Sequence, residues 1–205
     1  MKLKNEDAFE AFNYYRSNAW KIRGVDIPLK GLHSAGNYNL YAYRYDWDDH
    51  RRYIVADFKK LIGSAHATEI PLLAGNGRLV GGYPLSNLIY PVGKSKLYTS
   101  RNMMKFWANF AKTGEPGKSS NAVKWESIVN NEELGSSYMI IDNRKNLRMN
   151  SDIKTFKSLA KELYEDDRVN KLEKCVILLQ MFTFVGNDMY CLLYTSPSPR
   201  DLSTS

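Results

Sequence analysis

Apolar positions recur at helical spacing near both ends and in the middle of the chain, and alternate in strand fashion between these stretches. From Asp7 to Trp20, Phe9, Phe12 and Arg16 share one face, with Ala8, Ala11 and Tyr15 beside them, which predicts a helix. Gly24 and Pro28 should end it, and Gly31 to Asn39, which includes His33, should follow as loop. In Leu40–Tyr45 the side chains of Tyr41, Tyr43 and Tyr45 alternate with Leu40, Ala42 and Arg44, the pattern of a strand. Asp46 to Arg52 is dominated by charge and is expected to be a surface turn. Val55, Phe58, Leu61 and Ile62 then mark a short amphipathic segment running into Gly63.

Gly75-Asn76-Gly77 and Gly81-Gly82 predict a flexible loop as far as Tyr98, after which Thr99 or Ser100 should cap a strong helix. Met103, Phe106, Trp107, Phe110 and Ala111 follow its apolar period; Gly114 closes it and Pro116 prevents continuation. Ser137 to Asp142 reads as a second strand, with Leu147–Met149 as its returning hairpin partner. Asp152 to Tyr164 is expected to be a helix. Asp166 to Val185 should be a longer one, with Val169, Leu172, Val176 and Leu179 on one face and Val176-Ile177-Leu178-Leu179 reading as a buried stretch. Residues 191–205 change character, with two Ser-Pro steps and no period. They resemble a translated cloning adaptor; a natural disordered Ser/Pro tail is the alternative, and neither contributes to the fold. The result is a mixed α/β expectation, with residues 1–190 as one domain or the larger part of one.

The apolar share, 43%, and the 13% of aromatic residues fit a folded core. A net charge of +7 raises the question of a nucleic-acid or membrane-surface partner. The basic residues are scattered, and no basic run exceeds two, which argues against a nucleic-acid surface. Arg44-Tyr45 and Arg51-Arg52-Tyr53 could stack bases, but an amphipathic strand and its exposed turn explain them more simply. No apolar run approaches the ~20 residues of a membrane span. Cys175 and Cys191 form no CxxC and no disulfide framework. Met1 to Asp7 lacks the apolar core of a signal peptide, which says nothing about targeting if the chain is a C-terminal piece.

Histidine is the side chain best suited to general-base work near neutrality. His33, in its Gly/Asn loop, and His50, in its charged turn, are expected on the surface. His66 differs, because Gly63, Ser64, Ala65 and Ala67 around it are all small and let an imidazole approach a crowded site. Read from the residues alone, a packed structural histidine remains the ordinary alternative. His66 and Glu69 form an H-x-x-E pair, but no H-E-x-x-H follows and no third ligand is evident, so no metal site is expected. Gly75-Asn76-Gly77 lacks the Lys-Ser/Thr of a phosphate loop, and no cofactor is implied.

The stretch Gly63-Ser64-Ala65-His66-Ala67-Thr68-Glu69-Ile70-Pro71-Leu72-Leu73 resembles the histidine segment of the type-B carboxylesterase and cholinesterase family. Tyr41–Trp47 is similar to the family strand before that histidine, and Met103–Pro116 to its helix ending in a Gly-acidic-Pro step. Trp125 and Tyr138–Asp142 fit the segment after it, so the resemblance covers about residues 7 to 150. It implies an α/β-hydrolase fold, a small-molecule ester substrate, and His66 as general base of a Ser-acid-His triad. By the same analogy Glu69 is not the triad acid.

In α/β-hydrolases the triad runs Ser, acid, His along the chain. No G-x-S-x-G and no HGGG-type segment occurs here, and only 65 residues precede His66. The expectation is therefore the C-terminal part of an esterase, unable to turn over esters alone and prone to expose apolar surface. The family usually has Gly after the base; Ala67 stands there instead. A catalytically silent, partner-binding esterase-like domain is the rival reading, and the identity of the residue at the nucleophile position decides between the two.

Overall fold

Helix α1 (Glu6–Lys21) begins where the side chain of Asn5 accepts the Ala8 N–H at 3.1 Å. Glu6 and Asp7 in its first turn and Lys21 in its last complement the helix dipole. The chain does not leave the helix at Gly24. It widens into one π-helical segment, Ile22–Asp26, and continues as α2 (Ile27–Ser34). The wider turn lets Lys21 reach Asp26, five residues on, at 2.8 Å. Pro28 has no N–H to give to the ladder, and it follows directly on the π-helical segment, where the helix repeat changes. The predicted loop from Gly31 therefore starts only after Ser34, and His33 sits on a helix, its ring edge-on to Tyr38 at 5.2 Å.

In the computed structural model, residues 5–75, 87, 89–128, 130–131, 135–152 and 154–183 are described. They divide into two compact units, one drawn from Leu32–Ile153 and one from Leu3–Gly31 together with Lys154–Ser205. The predicted tail at 191–205 lies outside the described residues, as does most of the predicted loop between Gly75 and Tyr98.

The second unit is helical. Ala11, Tyr15 and Ala19 form the buried stripe of α1, at i, i+4, i+8. They share a core with Phe156, Leu159 and Leu163 of α6 (Phe156–Glu165) and Ile177 and Met181 of α7 (Lys171–Thr183). Thr155 and Ser158 cap α6 reciprocally. The stretch expected to be buried, Val176–Leu179, is buried only at Ile177 and in part at Leu178; Val176 and Leu179 point to solvent, as does Leu172 at 74% exposed. Polar groups at the helix start explain the rotation. Asn170 and Glu173 cap each other's segment, and Asn5 reaches the Glu173 carboxylate at 3.4 Å. Ile177 and Met181 stand one and two turns beyond Glu173 on that same face, so they turn inward.

The first unit carries the sheet. Its strands are β1 (Tyr43–Tyr45), β2 (Asn130–Asn131), β3 (Gly135–Ile141) and β4 (Arg148–Asp152). β3 pairs with all the others: parallel to β1, with Tyr43 opposite Met139, and antiparallel to β2 and β4, with Met139 opposite Met149. The β3–β4 pairing is the hairpin expected from sequence. Met139, Ile140 and Ile141 are buried in succession, as in a strand covered on both faces.

α5 (Lys94–Thr113) covers this sheet on one side. It starts at Gly93, earlier than the predicted caps, and Thr99 and Ser100 lie buried within it. Their hydroxyls are used for tertiary bonds instead, Thr99 to Asp142 O at 3.1 Å and Ser100 to Leu72 O at 2.6 Å. Met103 and Phe106 are fully buried, as their spacing predicted. Gly114 ends the helix at φ +78°, a left-handed cap. Tyr41 and Tyr43 meet α5 through edge-on contacts with Phe110 and Trp107, and Trp125 touches both tyrosines. The Trp125 indole N–H donates to Ala42 O at 3.1 Å, so the ring is anchored as well as packed. The predicted surface turn at Asp46–Arg52 is only partly one. Trp47 is fully buried and His50 is 5% exposed.

Candidate active site

α3 (Phe58–Ile62) leads into the His66 segment. Asp57 caps it by accepting the Lys60 N–H at 3.2 Å, and Gly63 ends it at φ +53°. A turn over Ser64–Glu69 follows, closed by bonds from the N–H of Thr68 to Ala65 O and from the N–H of Ile70 to Ala67 O. α4 (Ile70–Leu73), with Pro71 in its first turn, then buries Leu72 in the core. His66 stands exposed on this turn. Ala67 beside it has φ +68°, a left-handed conformation that costs a residue with a Cβ roughly 1–2 kcal/mol.

Both ends of the turn are held from outside. Before His66, Ser64 Oγ donates to Trp47 O at 3.2 Å, and Nε2 of His50 lies 2.8 Å from Gly63 O. After it, the phenols of Tyr90 and Tyr45 both reach Thr68 O, at 3.0 and 3.5 Å. Trp47 and Tyr90 stack in parallel at 5.9 Å, and the His50 ring meets both edge-on, at 5.0 and 5.4 Å. Nδ1 of His50 faces Ile89 O at 3.1 Å. His50 is thus a buried structural histidine, against the surface position expected from its charged neighbours. The indole N–H of Trp47 bonds Ser95 Oγ, whose hydroxyl bonds Asp49, so one charged neighbour is itself drawn into the packing.

Tyr45 lies at the carboxyl end of β1, so the turn is pinned to the end of a strand that runs parallel to β3. In open α/β sheets this is the edge where ligand sites form. Burial, then the charges of Tyr90 and Glu69, pushes the Tyr45 phenol up from its ordinary range. Burial and Glu69 push Tyr90 up to about 12. Tyr43 is raised by the same two causes. The Glu69 carboxylate therefore acts on a group of neutral phenols; it makes no side-chain cap to α4.

A cleft of about 420 Å³ opens next to Ser64, lined by Asp46, Asp48, Lys59, Asp142 and Arg148 among others. Its carboxylates are paired: Asp46 with Arg44 at 2.6 Å, Asp48 with Lys59 at 2.6 Å, and Asp142 with the Asn146 amide at 2.8 Å. His66 is not in the lining, and charged walls do not suit an acyl chain. Among the described residues no group of three or more His, Cys, Asp or Glu could hold a metal ion, and no helix is long and apolar enough to cross a membrane.

Of the sequence-predicted site only His66 was named, and it falls on an exposed turn fixed at both ends. The residues that fix it were not anticipated. Trp47, beside the predicted strand, was the one local signal that the charged stretch turns inward. No curated protein matches the sequence. The model of the carboxylesterase family matches residues 25–159, from α2 through the sheet and α5 into α6, and the chain belongs to the carboxylesterase family.

Proposed function

We propose that this chain is the C-terminal part of an α/β-hydrolase domain that hydrolyses carboxylic esters, with His66 as its general base. The observation that carries the reading is the His66 turn: exposed, strained at Ala67, and tied to the carboxyl end of β1. An imidazole there takes the proton of a serine hydroxyl as it attacks the ester carbonyl, then gives it to the leaving alcohol. Water repeats the cycle to free the acid. On this reading the serine lies outside these 205 residues, because no G-x-S-x-G occurs among them, and the triad acid, which follows the serine and precedes the histidine along the chain, is placed upstream with it. The chain alone is therefore inactive on esters. Family membership supports a hydrolase acting on small ester substrates.

The test is ester turnover with the serine-bearing portion present. His66→Ala should lower kcat by at least about 10³-fold, the scale on which triad members act. Turnover at the unsubstituted rate in that variant would overturn the reading.

A further inference from the structure

We infer that His50 is a positioning residue for His66, a role that rests on the proposed use of His66 as base. The turn over Ser64–Glu69 has internal bonds, including the Thr68 hydroxyl to Ala65 O at 2.5 Å, and it is also held from outside. It has the Thr68 and Ile70 N–H bonds and a residue at φ +68°, which favours escape from the observed conformation. Outside partners hold both of its ends. The His50 ring joins two of them. Nε2 lies 2.8 Å from Gly63 O, within hydrogen-bond distance of the point where α3 ends and the turn begins. On its other side Nδ1 faces Ile89 O, the residue before Tyr90, and the Tyr90 phenol holds Thr68 O at the far end of the turn. One buried imidazole thereby links the entry of the turn to the segment that fixes its exit, with His66 between.

The surroundings fit a fixed ring. His50 is 5% exposed and is flanked edge-on by Trp47 and Tyr90. Trp47 adds a second tie of its own, accepting from Ser64 Oγ. Removing the ring leaves Gly63 O without its Nε2 partner beside packed aromatic rings, and frees a hinge three residues before the base. A general base displaced by about 1 Å loses on the order of 10²-fold in rate. His50 does not touch the reacting atoms in this scheme; it acts through the backbone at Gly63.

Side-chain geometry makes the role separable from bulk packing. The amide of a glutamine reaches approximately where Nε2 lies and can donate to Gly63 O; an asparagine amide reaches only the Nδ1 position, towards Ile89 O. Amide hydrogen exchange with the serine-bearing portion present reads the clamp without any activity. His50→Leu should speed exchange at Thr68 and Ile70 about tenfold, with the α5 amides unchanged. His50→Gln should restore slow exchange and His50→Asn should not. Unchanged exchange at the turn, equal acceleration throughout α5, or a glutamine no better than asparagine would each overturn the clamp. With the serine-bearing portion present, His50→Leu should lower kcat roughly 10- to 100-fold with KM within about twofold, and His50→Gln should recover it. If His66→Ala abolishes turnover while His50→Leu leaves kcat unchanged, the positioning role fails and the triad stands. If His66→Ala keeps turnover, the triad fails, and the exchange pattern alone decides whether the clamp exists.

Discussion

The phenol of Tyr90 donates to the carbonyl of Thr68 at 3.0 Å, two residues beyond His66. Tyr90 is raised to about 12 by burial and by the Glu69 charge, and Tyr45, which reaches the same carbonyl, is raised by burial and its neighbours. Both phenols favour the folded state in their neutral form. Their contribution is complete below the ordinary tyrosine value of 10.0 and is lost as pH rises towards 12. Denaturant midpoints measured from pH 8 to 11.5 should fall most steeply above pH 10, and Tyr90→Phe should shallow that fall. Absorbance near 295 nm should show these phenols ionising after the exposed ones; a single titration at pH 10 would contradict the burial argument.

Ala67→Gly should stabilise the protein. The left-handed backbone at φ +68° costs alanine roughly 1–2 kcal/mol. Glycine removes that cost but gives back about 0.5–1 kcal/mol through the entropy of the unfolded chain. The net expectation is a gain of up to about 1.5 kcal/mol, seen as a higher denaturation midpoint at unchanged slope. A loss of stability would mean that the Ala67 methyl makes contacts worth more than the strain.

Acid stability should depend on Asp166. Its side chain is 7% exposed, accepts from Arg168 at 2.6 Å, and accepts the Tyr15 hydroxyl at 2.8 Å. The Arg168 guanidinium holds the carboxyl well below its usual 3.8, with the Tyr15 bond adding to the effect. A carboxyl lowered on folding contributes stability above the unfolded value, and that contribution is lost as pH falls through the lower folded one. Unfolding followed from pH 6 to 2 should show stability declining below about pH 4, less steeply in Asp166→Asn. Tyr15→Phe should cost about 1–2 kcal/mol at neutral pH by removing the hydroxyl from a paired carboxylate. An unchanged midpoint in that variant would show the bond to be without net value.

The chain by itself should bind a hydrophobic dye. Ile54 and Val55 stand fully or largely exposed at a tight turn, where the N–H of Tyr53 and of Ala56 each bond the other's carbonyl. Val92 and Phe110 add further apolar surface. ANS fluorescence should rise on mixing with residues 1–190, with a broad thermal transition. A cooperative melt without ANS binding would count against an incomplete domain.

The middle helix and the hairpin were legible because their signals are local. Met103 and Phe106 repeat at helical spacing, Gly114 supplies the αL stop, and Tyr138 to Ile141 are apolar enough to demand burial on both faces. What could not be read were choices made between distant segments. α7 offers apolar residues on more than one side, and only the capping at Asn170 and the Glu173 contact with Asn5 select Ile177 and Met181. His50 sits among aspartates and arginines that look like solvent-facing chain. Its burial follows from Trp47 stacking on Tyr90, a partner 43 positions away that no local pattern announces. His66 stands out in the sequence by its small neighbours and the family resemblance, whereas the support of its turn lies in an imidazole and two phenols drawn from separate stretches.

The core of the helical unit joins α1 to α6 and α7, and Tyr15 finds Asp166 across 151 residues of chain. On a ribosome adding about 5–20 residues per second, α1 emerges roughly 8–30 s before that partner exists. Throughout that interval Ala11, Tyr15 and Ala19 lack the α6 and α7 residues they pack on in the folded unit, so the nascent α1 is a natural landing place for a chaperone. Slowing translation between Lys154 and Thr183 would lengthen that exposure without altering a single contact of the finished protein.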